Sequence, residues 1–151
     1  VFTGPLEGAL VLLALACDIR VCDEGAVFTL PTELDEPASD RLRTLLRLDA
    51  GKDLPTSSKL QANECARQGL VSRVTVGPPI EEGRRVADTI AAHGPIATRL
   101  AKEAVWRGLR LPLEQAMRME TDLTLLLQTT KDRAEGVRAF LEKRHPRFEG
   151  R

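Results

Sequence analysis

Apolar residues along the chain follow two different patterns. Ala9 to Cys17 (ALVLLALAC) is unbroken apolar sequence, and its Leu and Ala content predicts a buried helix rather than a strand. Ile19-Arg20-Val21-Cys22 and Ala26–Leu30 are short β-type segments separated by the turn Asp23-Glu24-Gly25, and Pro31 stops the second. Two such strands beside one helix cannot form a stable sheet alone, so they need partners elsewhere in the chain. The stretch from Thr32 to Asp53 is strongly charged, with leucines at helical spacing over Arg41–Leu48. Lys59–Gly69 predicts a short helix stopped by Gly69, and Leu70–Val76 a strand after it.

Beyond Gly77-Pro78-Pro79, the clearest hinge, every signal is helical. Helices are predicted over Glu81–Ala92, Ile96–Arg107 and Leu113–Thr129, the last with Leu113, Met117, Leu123 and Leu127 on or near one face. Asp132 stands where an N-cap belongs, with Glu135 in the capping-box position, and a final helix runs to about Arg144. His93 and His145 lie beside helix-ending Gly94 and Pro146, which suits helix C-termini better than catalysis. The expected organisation is an α/β part over residues 1–76 and a helical part over residues 77–151.

Composition narrows the function classes. The chain has 151 residues, enough for one domain with a real core, with 42% apolar and 29% charged residues. Its 22 basic and 22 acidic side chains cancel, so it lacks the electrostatic footprint of a nucleic-acid-binding protein. The longest apolar run is about half of the roughly 20 residues a membrane span needs. Cys17, Cys22 and Cys65 are odd in number and lack metal-ligand spacing, which favours reduced thiols in a cytoplasmic setting. Aromatics make up 3%, so the core must be built from Leu, Val and Ala. The chain opens on Val1 rather than Met, as expected either of a sequence whose upstream part is missing or of one whose initiator Met is processed away.

Three stretches together resemble the enoyl-CoA hydratase/isomerase (crotonase) family. Thr3-Gly4-Pro5-Leu6-Glu7-Gly8-Ala9-Leu10-Val11-Leu12 through Cys17-Asp18-Ile19 is similar to the family's N-G-x-x-x-G-G-G-x-E-L-A-x-x-C-D-I. ANECARQGLV, from Ala62 to Val71, is similar to A-x-x-A-x-x-x-G-L-V. Asp132 to Phe148 is nearly D-R-x-E-G-x-x-A-F-x-E-K-R-x-P-x-F, the most specific of the three. The resemblance is to the family's C-terminal half. It implies an α/β crotonase-like fold, a ββα spiral remnant followed by a helical trimerisation region. It also implies an acyl-CoA ligand, no cofactor beyond that coenzyme A, and a homotrimer or hexamer. The implied compartment is cytoplasmic, with the mitochondrial matrix as the alternative.

The same resemblance carries site residues over. Gly8 matches the first glycine of the G-G-G run, which supplies an oxyanion N–H; its plainer reading is a turn into the helix. The next two glycines have become Ala9 and Leu10. The two catalytic glutamate positions fall on Leu12 and Thr32, neither of which can move a proton. Glu33 and Asp40 are the nearby substitutes. Glu33 is otherwise a solvated loop residue, and Asp40 an N-cap for Arg41–Leu48. Phe140 and Lys143 match tail positions that touch CoA from a neighbouring subunit. Their plainer readings are helix packing for Phe140 and a solvated cation for Lys143.

Overall fold

In the computed structural model, residues 1–48, 53 and 55–151 are described. They form two compact units, Val1–Arg85 and Val86–Arg151. The division falls inside a helix and not at Gly77-Pro78-Pro79. The fold is mixed α/β, with seven helices and five short strands among the described residues.

The first unit contains β1 (Pro5–Leu6), α1 (Ala9–Ala16), β2 (Val21–Asp23), β3 (Val27–Thr29), α2 (Glu36–Leu46), β4 (Lys59–Gln61), α3 (Ala62–Gln68) and β5 (Arg73–Thr75). The strand partners required by the sequence come from far along the chain. β3 is flanked by β1, parallel, and β4, antiparallel, while β2 pairs with β5 in parallel. The core is aliphatic, with Leu6, Val11, Leu15, Phe28, Leu30, Leu42 and Leu60 among its buried members. Phe28 meets half-buried Phe2 edge to face, with ring centroids 6.5 Å apart.

Two local expectations fail in this unit. Lys59–Gln61 is a strand, because Leu60 turns inward beside Phe28 in the antiparallel ladder; the helix begins only at Ala62. The charged segment after Thr32 is helical from Glu36, five residues before Arg41. Its N-cap is Asp35, whose carboxylate accepts the Ala38 N–H at 3.0 Å, and Pro37 sits in the first turn, where a missing N–H does no harm. Asp40 is therefore an exposed residue inside the helix and caps nothing. Gly69 closes α3 in the left-handed region, at φ 86°, where a Cβ would lie 2.8 Å from the Leu45 carbonyl oxygen.

α4 (Pro79–Ala91) crosses from one unit to the next; α5 (Pro95–Gly108), α6 (Leu113–Gln128) and α7 (Lys131–Leu141) complete the second. α5 and α6 contain no fully buried residue. Leu123 and Leu127 are half-buried, while Leu113 and Met117 face solvent. His93 Nδ1 lies 2.8 Å from the Thr89 carbonyl oxygen at the end of α4, in keeping with a helix-end role. No helix among the described residues is long and apolar enough to cross a membrane.

Candidate functional site

The parallel register of β1 and β3 defines one edge of the first unit. Pro5 lies beside Val27 and Leu6 beside Phe28, so both strands leave the sheet at the same end. Ligands of α/β sheets commonly bind outside such carboxyl ends, because the strand-to-helix turns present backbone groups there. At this end β1 runs through Glu7 into Gly8, and β3 runs through Leu30 and Pro31 into Thr32 and Glu33. Across the two strands, the Thr29 hydroxyl donates to the Glu7 carboxylate at 3.1 Å.

Gly8 is the N-cap of α1, with φ 55° and ψ −126°, a conformation that disfavours a Cβ. The turn uses its own carbonyls economically: Leu10 N–H reaches Glu7 O, and Val11 and Leu12 N–H reach Gly8 O. Among the described residues, the N–H groups of Gly8 and Ala9 have no acceptor. The helix-turn and oxyanion readings of Gly8 are thus compatible, since the turn itself leaves two adjacent donors at a helix start. Of these two residues the sequence singled out Gly8 alone; Ala9 keeps its N–H whatever its side chain, so its residue type carries no signal of it.

α1 itself is apolar on every side. Val11, Ala14 and Leu15 are buried, while Leu10, Leu12 and Leu13 remain exposed, Leu12 at 38%. Two arginines hold its other end. Arg41 donates from Nε to Leu15 O at 2.9 Å and from a terminal nitrogen to Cys17 O at 3.2 Å, and it pairs with Asp18 at 3.5 Å. Arg20, only 3% exposed, donates to the carbonyls of Cys17 and Leu70. Burial first, then the Arg41 charge, hold its guanidinium below the ordinary value. Cations at the C-terminus complement the helix dipole and fix α1 by the end opposite Gly8.

The other positions singled out from sequence are scattered. Thr32 and Glu33 are exposed in irregular chain just past Pro31. Asp40 lies on α2, and among the described residues neither it nor Glu33 has a side-chain partner. Phe140 is 82% exposed, which overturns its expected packing against neighbouring helices: it projects from the last turn of α7, where nothing in its own unit covers it. Lys143 is exposed and sits in the left-handed region at φ 54°.

The tail motif has a different role from the one its sequence suggests. Thr130, not Asp132, is the N-cap of α7, accepting the Arg133 N–H at 3.1 Å. Asp132 is 5% exposed, and its carboxylate accepts the N–H groups of Glu149 and Gly150 at 2.7 and 2.9 Å. Glu135 accepts from Arg144 at 2.6 and 3.0 Å and from the Arg147 N–H at 3.0 Å, so it holds the returning tail and makes no capping box. Those donors, Arg144 foremost, hold its carboxyl down to about 2. The Phe148 ring lies against Gly94 and Gly136, where an added Cβ would stand 3.6 Å from it.

Residues 3–151 match the family model described as enoyl-CoA hydratase/isomerase. The chain belongs to that family. It is 37% identical over 154 residues to a probable mitochondrial enoyl-CoA hydratase 2 of Arabidopsis thaliana, covering 97% of this chain and 51% of the relative. It is 36% identical to the 2,3-dehydroadipyl-CoA hydratase of Escherichia coli, across 98% of this chain and 61% of that one. The crystal structure of an enoyl-CoA hydratase from Bacillus anthracis superposes with a TM-score of 0.85 at 35% identity, over 99% of this chain and 60% of that one. The chain therefore spans about half to three-fifths of the length of these family members.

Proposed function

We propose that this enoyl-CoA hydratase/isomerase family chain binds an acyl-CoA thioester at the start of α1 and hydrates enoyl thioesters at or near the background rate. The observation that carries the binding is the pair of N–H groups on Gly8 and Ala9, which have no acceptor among the described residues. Fixed amide dipoles at a helix start stabilise the charge that develops on a thioester oxygen as an enolate forms. What limits hydration is the absence of acid and base. Leu12 and Thr32 stand where the resemblance puts the glutamates, and positioned proton transfer is typically worth about 10²–10⁴-fold. Glu33 and Asp40 are the substitute carboxylates that the alignment of the motifs offers in their stead. Coenzyme A enters as part of the substrate and no further cofactor is required. A cytoplasmic or mitochondrial-matrix location goes with this reading.

Phe140 and Lys143 are assigned to the CoA of a neighbouring subunit in a homotrimer or hexamer, the ring by apolar contact and the ammonium by charge. The exposure of Phe140 supports this, because an uncovered aromatic at a helix end is available to a partner. Exposed Val105, Leu109, Leu113, Leu125 and Leu126 favour a second reading in which assembly is the main role and the chain is a non-catalytic partner subunit. Calorimetry with crotonyl-CoA and the loss of enoyl absorbance test the two together. Weak binding, diminished in Lys143→Ala, with background hydration is the expected result. Robust hydration that disappears in Glu33→Gln or Asp40→Asn would overturn it, and no binding at millimolar ligand would leave assembly alone.

A further inference from the structure

Lys143 stands where the chain reverses after α7. The helix ends at Leu141 with Glu142 as its C-cap; the Lys143 N–H then donates to Phe140 O at 3.3 Å and the Arg144 N–H to Ala139 O at 3.0 Å. Such a pair of bonds puts the turning residue in the left-handed region, a place that glycine usually takes. Here it is Lys143, at φ 54°, and its Cβ disfavours that conformation. The residue that follows is anchored back to the helix. The Arg144 guanidinium donates to both Glu135 carboxylate oxygens, at 2.6 and 3.0 Å, and from Nε to Glu142 at 2.6 Å. Glu135 also accepts the Arg147 N–H at 3.0 Å, so the chain is tied to α7 a second time beyond the turn. The Lys143 side chain itself is exposed and has no partner among the described residues. We propose that the Glu135–Arg144 pair is a positioning device for Lys143: it holds the left-handed turn, and so fixes the direction in which the lysine leaves the chain toward a CoA phosphate. The inference rests on the assignment of Lys143 to CoA above, and neither Glu135 nor Arg144 touches the ligand in it.

A ligand that meets a lysine ammonium must also order everything that leads to it, and an ordered backbone leaves only the side chain to be fixed. This gives the pair an effect opposite to that of its charge. Removing the Glu135 carboxylate makes the tail more positive, which by electrostatics alone favours a phosphate. Through the turn the result is the reverse. Arg144 loses its fork, Lys143 leaves a conformation its Cβ disfavours, and affinity falls with the share of molecules that keep the competent turn. The two effects differ in sign, so one measurement separates them.

The test titrates the whole chain with crotonyl-CoA by calorimetry and follows its assembly by light scattering. Lys143→Ala is expected to weaken binding about tenfold. Glu135→Gln weakens it about fivefold, with the number of sites and the mass unchanged. Arg144→Lys, which keeps the charge and loses the fork, does the same. In a Lys143→Ala background Glu135→Gln has no further effect, because the group it positions is gone. Glu149→Gln is the control: it makes the same change of charge on the same tail, at a residue paired with Arg151, and leaves affinity equal or slightly higher. Affinity that holds or rises in Glu135→Gln, or falls equally with and without Lys143, overturns the proposal and leaves the CoA contact standing. A fall in the number of sites or in mass at unchanged affinity overturns it too, since the pair would then serve folding or assembly alone. Full affinity in Lys143→Ala, or no binding in wild type, removes the CoA contact and the proposal with it.

Discussion

The start of α1 and the tail after Thr130 carry the two longest family-like stretches, and the structure uses them in opposite ways. At α1 the motif positions face outward. The N–H groups of Gly8 and Ala9 have no acceptor among the described residues, Leu10 and Leu12 are exposed, and the position matched to the first glutamate is apolar. In the tail the motif residues are satisfied by one another: Asp132 takes two backbone N–H groups, Glu135 takes Arg144 and the Arg147 N–H, and Gly136 makes room for Phe148. Similarity to a catalytic family thus divides into residues that maintain the second unit and residues that could act on a ligand. The closer match lies with the former, so closeness of match and strength of activity are separate quantities here.

The largest test of that contrast is Asp132→Ala. It strands two N–H groups of the returning tail in a nearly buried place, and a loss of about 3 kcal/mol is expected in urea unfolding. A loss under about 0.5 kcal/mol would mean the clasp is ornamental, since that is the ordinary effect of a surface change. Arg20→Met comes next. It leaves the Cys17 and Leu70 carbonyls without their donor, and about 2 kcal/mol is expected, partly offset by the better transfer of Met out of water. Stability rising on that change would show that α1 does not depend on its capped end.

The smallest effect is a pH dependence confined to the tail. The Glu135 carboxyl is held from 4.5 down to about 2 by Arg144 and then the Arg147 N–H. A lowered folded value means that its contribution is complete above the ordinary carboxylate range and disappears as pH falls toward about 2. Amide exchange at Arg147 should therefore quicken between these limits in wild type. Glu135→Gln should flatten that profile at its fast end; an unchanged profile in the variant would assign the effect to another group.

These tests also mark what the sequence could and could not convey. Helices closed by local signals were legible: Gly69 ending α3, the break at Gly94 after α4, and the apolar run of α1. The start of α2 was not, because Glu36 and Pro37 resemble a charged loop until Asp35 is seen accepting from Ala38. β4 was misread because three residues running into a helix carry too little pattern to stand out, and its partner β3 lies some thirty positions away. At the candidate site, the turn at Gly8 was readable from a glycine before an apolar run, whereas its oxyanion role came from the resemblance alone. The Glu7–Thr29 pair was not readable, since only the parallel register brings residues 22 positions apart together. For Phe140 only the plainer reading of helix packing fails, because no element of its unit covers the ring.

The three free thiols described above make the first unit a recorder of its own opening. Cys22 and Cys65 are fully buried, and burial pushes them up to about 11 and about 12, so at neutral pH both stay protonated and shielded from alkylating reagents. Cys17, half-exposed at the end of α1, has no such shelter. A reagent added to the native protein should mark Cys17 first, and mark the other two only as often as the strands carrying them part from the core. The lag between the first label and the later ones converts directly into an opening free energy for that core, obtained without denaturant and without altering a residue.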